Sequence, residues 1–358
     1  MSGSQNPPTR LARLRVDADA IAENWRHFDR LAPNAVTAAV VKADGYGLGS
    51  ERAALALAKA GARDFFTATS GEACALRRTL GGGPRIFVLN GPLSEDVANF
   101  AAAQLIPVLN STEQIVLWAA RAPAALHIDT GMNRLGAAPC DLAQVRHALK
   151  DAPLTLLMSH LACAADVTHS MNARQRQLFI EAASQFPGAP LSLAATSGAL
   201  IGAGFHFDMI RPGIGLYGAG GLDANNPKLA TAALIEAPIL QLRDVAAGAT
   251  FGYGATFTAA KKMRSATVAL GYADGYLRSL SGRGYGVLGG VKLPLLGRVS
   301  MDLVALDVSE CKEARVGDWV EFLGPNVPLD DVARLAGTAP YEILTTFAGM
   351  VGKAGVRE

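Results

Sequence analysis

Several short segments of the chain hold residue types that could do chemistry together. In AVVKADGYGLG (39–49), Lys42 directly follows an apolar, β-branched run. Lysine is uncommon in such a place unless its charge is partnered or its pKa lowered. Two readings are open: a strand-end lysine whose stem reaches solvent, or an amine held for a Schiff base with a carbonyl cofactor. In HIDTGMNRLG (127–136), Arg134 sits in a glycine-bordered loop, either as an ordinary surface arginine or as a two-point clamp for a carboxylate. Three more runs end in MSH (158–160), TSG (196–198) and RPGIGLYG (211–218). Singly these read as a capped core histidine, His160, a helix cap and a glycine turn. Together, Ser197 and the backbone amides of Gly213 and Ile214 form a phosphate cradle, with Arg211 pointing at the ring of whatever carries the phosphate.

These residues need elements to place them. Short β-rich runs at 36–41, 64–68, 85–89, 105–109, 125–128, 154–159, 191–194 and 208–210 alternate with Ala/Leu-rich amphipathic stretches, the pattern of βα units around a parallel sheet. Eight units over some two hundred residues suit a (β/α)8 barrel, whereas a doubly wound sheet would show fewer strands and an early GxGxxG turn. Helices are predicted over 17–31, 51–60 and 168–186. After about residue 230 the texture changes to β-branched runs at 239–245, 266–270, 303–308 and 319–323, separated by Gly, Pro and Asp turns. The expected fold is therefore α/β: a flexible leader (1–11), an N-terminal (β/α)8 barrel (12–228) and a C-terminal, mainly β domain (229–358). The turn-rich stretch 221–227 is the predicted linker.

Bulk properties narrow the function. With 33 basic and 31 acidic residues the net charge is +2, which gives no field to gather nucleic acid or an anionic membrane. No apolar run approaches the roughly 20 residues that span a bilayer, and the start carries no secretory pattern. A cytoplasmic enzyme of small molecules is the expectation. Cys74, Cys140, Cys163 and Cys311 are scattered without CxxC pairing, so neither disulfides nor a metal site is expected.

In order along nearly the whole chain, these segments resemble those of the alanine racemases, barrel-type pyridoxal phosphate enzymes with a β-rich second domain. The resemblance implies interconversion of L-alanine and D-alanine by two bases acting through a cofactor aldimine, serving either D-alanine supply for peptidoglycan or alanine catabolism. It makes Lys42 the cofactor lysine and the base on the D-alanine face. It assigns phosphate contacts to Tyr46, Ser197, Gly213, Ile214 and Tyr341, the last in PYEIL. FGYGATF (251–257) is similar to the segment carrying the family's second base, which makes Tyr253 the base on the L-alanine face, supplied by the other subunit of a head-to-tail homodimer. GYADGY (271–276) and GRVSMD (297–302) resemble two more family segments. By them Tyr272 lines the way into the site and Met301 holds the substrate carboxylate with Arg134 through its backbone amide. His160 is implied to bridge Tyr253 and Arg211. An arginine facing the pyridine nitrogen will not hand over its proton, so the ring is a restrained electron sink and transamination is disfavoured. Amines and phenols titrate near roughly pH 10 in water, so burial and neighbouring cations must lower any that serve as bases at neutral pH.

The chain departs from the family pattern in places. The residue two before Asp129 is often a carbamylated lysine that steadies the clamp arginine, whereas here it is His127, which cannot form a carbamate. A neutral His127 could orient Arg134 or bind water, a protonated one would repel it, and a bound anion could fill the gap; activity is expected to fall at acid pH. Leu48 replaces a frequent histidine, Thr196 stands where Asn is frequent, and 347–358 lacks an RVPR-like stretch. The competing readings are a broad-specificity amino-acid racemase, a non-catalytic pyridoxal phosphate carrier and a barrel decarboxylase. The second domain argues against the carrier, and Arg211 argues against the decarboxylase.

Overall fold

A computed structural model describes residues 11–118, 123–150, 152–220, 229–354 and 356–357. The predicted linker, all of the predicted leader but Leu11, and the boundary at residue 228 lie outside these. Within them the chain forms two compact units, 18–45 with 49–230, and 11–17 with 46–48 and 231–357.

The first unit is the expected barrel. Its strands are Val36–Thr37 continuing to Ala39–Val40, then Asp64–Thr67, Arg85–Val88, Ile106–Leu109, Ala124–His127, Leu154–Met158, Leu191–Ser192 and Met209–Ile210. Those from Ala39 to Ser192 form one seven-stranded parallel sheet in sequence order. The last strand closes the ring. Asp208 N donates to Leu191 O at 3.0 Å and Arg211 N to Ala194 O at 2.9 Å on one side, while Val36 N donates to Asp208 O and Ala38 N to Ile210 O, at 2.8 and 2.9 Å, on the other. The strands were legible because both faces are buried: Phe65, Phe66, Ile86, Phe87 and Val108 show 0% exposure, so each reads as an unbroken apolar run. The helix Ala18–Leu31 buries Ile21, Trp25 and Phe28, an i, i+4, i+7 stripe, and its Asn24 bonds to Leu216 O and Ala230 O.

The second unit is built on an eight-stranded sheet, antiparallel apart from the pairing of Arg13–Val16 with Val356–Arg357. Its spine is the 13-residue strand Ala233–Val245, which pairs with Arg13–Val16, Met263–Val268 and Trp319–Leu323. Residues 12–17, grouped with the barrel in the sequence reading, thus belong to this sheet, with Leu14 at 0% exposure. No helix among the described residues is long and apolar enough to cross a membrane.

Candidate active site

In the barrel unit the candidate residues gather at the C-terminal ends of the strands. Lys42 closes the first strand and opens an unusual turn. Ala43, Asp44 and Gly45 all have φ between 53 and 62° with ψ between 42 and 50°, a left-handed turn that costs L-residues roughly 1–2 kcal/mol each. At 45 a Cβ would also crowd Ser50 N at 3.1 Å, so glycine fits there with least displacement. The turn is held from outside by Glu72, in the first turn of the helix Ser70–Leu80, whose Oε1 accepts from Ala43 N at 2.9 Å and Oε2 from Ala68 N at 2.8 Å. Lys42 is half-buried. Desolvation lowers its pKa, the positive charge of Arg134 lowers it further, and Glu72 opposes both.

The other cationic groups share that field. Arg211 is buried, and its guanidinium donates to Ser159 O at 2.7 Å and to Ser192 Oγ. Burial pushes its pKa down to about 9, which leaves it charged at neutral pH. Among the described residues the His160 ring makes no hydrogen bond to Arg211; the two interact through charge. Desolvation, with Arg211, Arg134, His127 and Lys42 adding to it, pushes the His160 pKa to about 3. His127 is pushed to about 4, chiefly by burial and then by Arg211, so both imidazoles are neutral at pH 7. Arg134 is exposed on a loop closed at its base by the bridge between Ile128 and Ala137.

The residues expected to cradle a phosphate lie after the seventh and eighth strands. Thr196 is buried, and its Oγ1 accepts from Gly213 N at 3.0 Å and Gly215 N at 3.1 Å. The Gly213 amide is therefore shared with Thr196, and Ile214 N is the neighbouring amide that forms no such bond. Ser197, half-buried, follows at the head of the helix Thr196–Ile201.

The second unit assembles the remaining candidates. Tyr46 is buried there, with its ring centroid 6.0 Å from that of Tyr341. The Tyr253 turn packs on 297–298: a Cβ on Gly297 would lie 2.8 Å from Phe251 O, and one on Gly254 3.2 Å from an Arg298 Nη. Tyr272 N donates to Ser300 O and Ala273 N to Met301 O, which clips the Tyr272 turn to Met301. Tyr253, Met301 and Tyr272 are 72, 54 and 41% exposed.

Sequence reasoning missed the side chains that hold these loops. Glu72, Gln114 and Gln175 reach back from barrel helices to backbone groups at strand ends; Gln175, for example, donates to His160 O and accepts from Ala162 N. The available signal was a polar residue in the first or second helical turn after a strand.

The family profile "Alanine racemase, N-terminal domain" matches residues 16–220, and "Alanine racemase, C-terminal domain" matches 232–354. An alanine racemase of Rhizobium meliloti is 44% identical, covering 94% of both chains, and one of Rhodospirillum rubrum 45% identical, covering 97% of both. The crystal structure of alanine racemase from Bartonella henselae with covalently bound pyridoxal phosphate is similar at a TM-score of 0.90 and 35% identity, over 97% of this chain and 99% of that one. With both domain profiles matched and relatives of this identity aligned from end to end, the chain belongs to the alanine racemase family.

Proposed function

We propose that the chain interconverts L-alanine and D-alanine with pyridoxal phosphate, using Lys42 and Tyr253 as its two bases. The observation that carries this reading is the setting of Lys42: a desolvated amine at the C-terminal ends of the barrel strands, in the field of Arg134 and Glu72 and close to a neutral His160 on which Arg211 also acts. Naming of the Rhizobium and Rhodospirillum relatives as alanine racemases supports the substrate.

The residues fit the cofactor by the chemistry of their donors. A primary amine of lowered pKa meets an aldehyde, a buried guanidinium meets a ring nitrogen, and a mostly cationic field suits a phosphate ester. When bound, the cofactor withdraws electrons from the substrate Cα and so eases removal of its proton. Ser197, the Gly213 and Ile214 amides, Tyr46 and Tyr341 would hold the phosphate, the Gly213 N–H donating to Thr196 Oγ1 as well. Arg211 would face the ring nitrogen without giving up its proton, and His160 lies in the field of Arg211. Arg134 and the Met301 amide hold the substrate carboxylate, and Tyr272 lines the way in.

Racemisation then needs a proton acceptor on each face of Cα. Lys42 Nζ removes or returns the proton on the D-alanine face. The partner subunit's Tyr253 does so through its phenol oxygen on the L-alanine face, in a head-to-tail homodimer with shared sites. Support for the dimer is that Tyr253, Met301 and Leu303 leave large side chains exposed, at 72, 54 and 39%, the kind of surface that marks interfaces when it is contiguous. The setting is cytoplasmic, and the product serves peptidoglycan synthesis or the reverse reaction serves alanine catabolism. A chiral alanine assay with serine, lysine and arginine as comparison substrates tests the reading. Alanine is expected to turn over fastest, and loss of alanine turnover with retained activity on the others contradicts it.

A further inference from the structure

The floor of the Arg134 loop holds a polar pair that the proposed reaction does not use. Asn110 follows the fourth barrel strand and His127 ends the fifth; they are 4% and 8% exposed, and Asn110 Oδ1 lies 2.9 Å from His127 Nδ1. The direction of that bond follows from the other bonds of Asn110. Its Nδ2 donates to Val108 O at 2.8 Å and Leu89 O at 3.0 Å, partners that only the NH2 end satisfies, so the end facing the imidazole is the oxygen and can only accept. The ring proton therefore sits on Nδ1, and Nε2 carries a lone pair. Gln114 fixes the asparagine further, accepting from Asn110 N at 2.8 Å and donating to Asn90 O at 2.8 Å.

His127 in turn underlies the arginine loop. Ala137 N donates to His127 O at 2.8 Å, Asp129 N to Ala137 O at 2.9 Å, and a Cβ on Gly136 would lie 3.2 Å from His127 Cγ. The charged groups facing His127 are Arg211 and Arg134, both cationic, and Asp129, with neutral His160 also in the field. Asp129 Oδ1 is already taken by the amides of Gly131 and Met132, each at 2.8 Å.

Building on the reading of Arg134 as the carboxylate clamp, we propose that His127 is a positioning residue whose tautomer is locked by Asn110, so that Nε2 is a standing neutral acceptor for an Arg134 N–H when the arginine turns in on substrate. The lone pair also repels an anion from that place. Arg134 is thus steadied by an imidazole and needs neither a carbamate nor a bound anion.

Nitrogen-15 NMR of the histidine rings in the cofactor-loaded protein reads the lock without turnover, so its failure is distinguishable from failure of the racemase reading. The expected result is His127 protonated on Nδ1 and bare on Nε2 from about pH 7 to about pH 5.5, below the ordinary histidine range near 6.5. An Nε2–H tautomer, or an imidazolium at neutral pH, overturns the proposal. Asn110→Leu removes the acceptor and lets the ring take the other tautomer. Its KM for alanine is expected to rise about tenfold with kcat and visible absorption little changed, as loss of one bond to a charged partner dictates. An unchanged KM in a variant whose tautomer has switched overturns the link to Arg134.

Discussion

Lys42 owes its lowered pKa to burial and to a cation far away in sequence. Glu72 holds the left-handed turn that follows it, and Arg134 adds to the burial that depresses its amine. Lys42→Ala is expected to lower racemisation by at least ~1,000-fold, within the range of lost acid–base groups, and to abolish the visible cofactor band; retention of the band contradicts its role. At Arg211 the informative change is Arg211→Gln, which removes the charge while keeping N–H donors for Ser159 O. A ring nitrogen facing no fixed cation can take up a proton, so pyruvate formed per racemisation event is expected to rise; an unchanged ratio contradicts the restraint assigned to arginine. His127 illustrates what the sequence could and could not say. Its departure from the family's lysine was visible, but the depth of its burial and the nearness of Arg211, which lower its pKa to about 4, were not.

At the scale of elements, the barrel strands were readable because parallel strands buried on both faces are apolar throughout. The helices were readable from 3.6-residue stripes such as Ile21, Trp25 and Phe28. The hydrogen-bond struts were not, because a Glu or Gln near a helix start looks like any solvated side chain until the preceding strand end is placed beside it. Thr196 shows the consequence. Its hydroxyl accepts from two amides of the Gly213–Gly215 turn, so Thr196→Ala leaves two buried donors without a partner, at a cost of about 1–3 kcal/mol each. The expected outcome is a lower Tm and a weaker cofactor dissociation constant by titration, with Thr196→Ser retaining both; Thr196→Ala binding cofactor at full strength contradicts the strut.

For the whole molecule, the pairing of Arg13–Val16 with the C-terminal sheet was illegible because no local pattern reports a partner more than 200 residues away. The desolvated imidazoles also set a pH dependence. In the unfolded chain His127 and His160 titrate near about 6.5, and in the folded chain near 4 and 3. The folded state binds fewer protons, so stability is fully present above about pH 6.5 and is lost as pH falls toward 4 and then 3. The Tm of cofactor-free protein is expected to drop by several degrees between about pH 7 and about pH 5, and less steeply in His127→Phe; parallel profiles contradict the assignment. If sites are shared between subunits, mixing the inactive Lys42→Ala and Tyr253→Phe proteins restores activity, since a heterodimer holds one intact site. Statistical exchange gives about a quarter of the wild-type rate, and no recovery after exchange contradicts the shared site. The central claim is tested most directly by incubating the cofactor-loaded protein with L-alanine in deuterium oxide and separating the enantiomers. Equal final amounts of L-alanine and D-alanine are expected, with the D-alanine carrying deuterium at Cα. Unchanged L-alanine, or pyruvate in place of D-alanine, contradicts it.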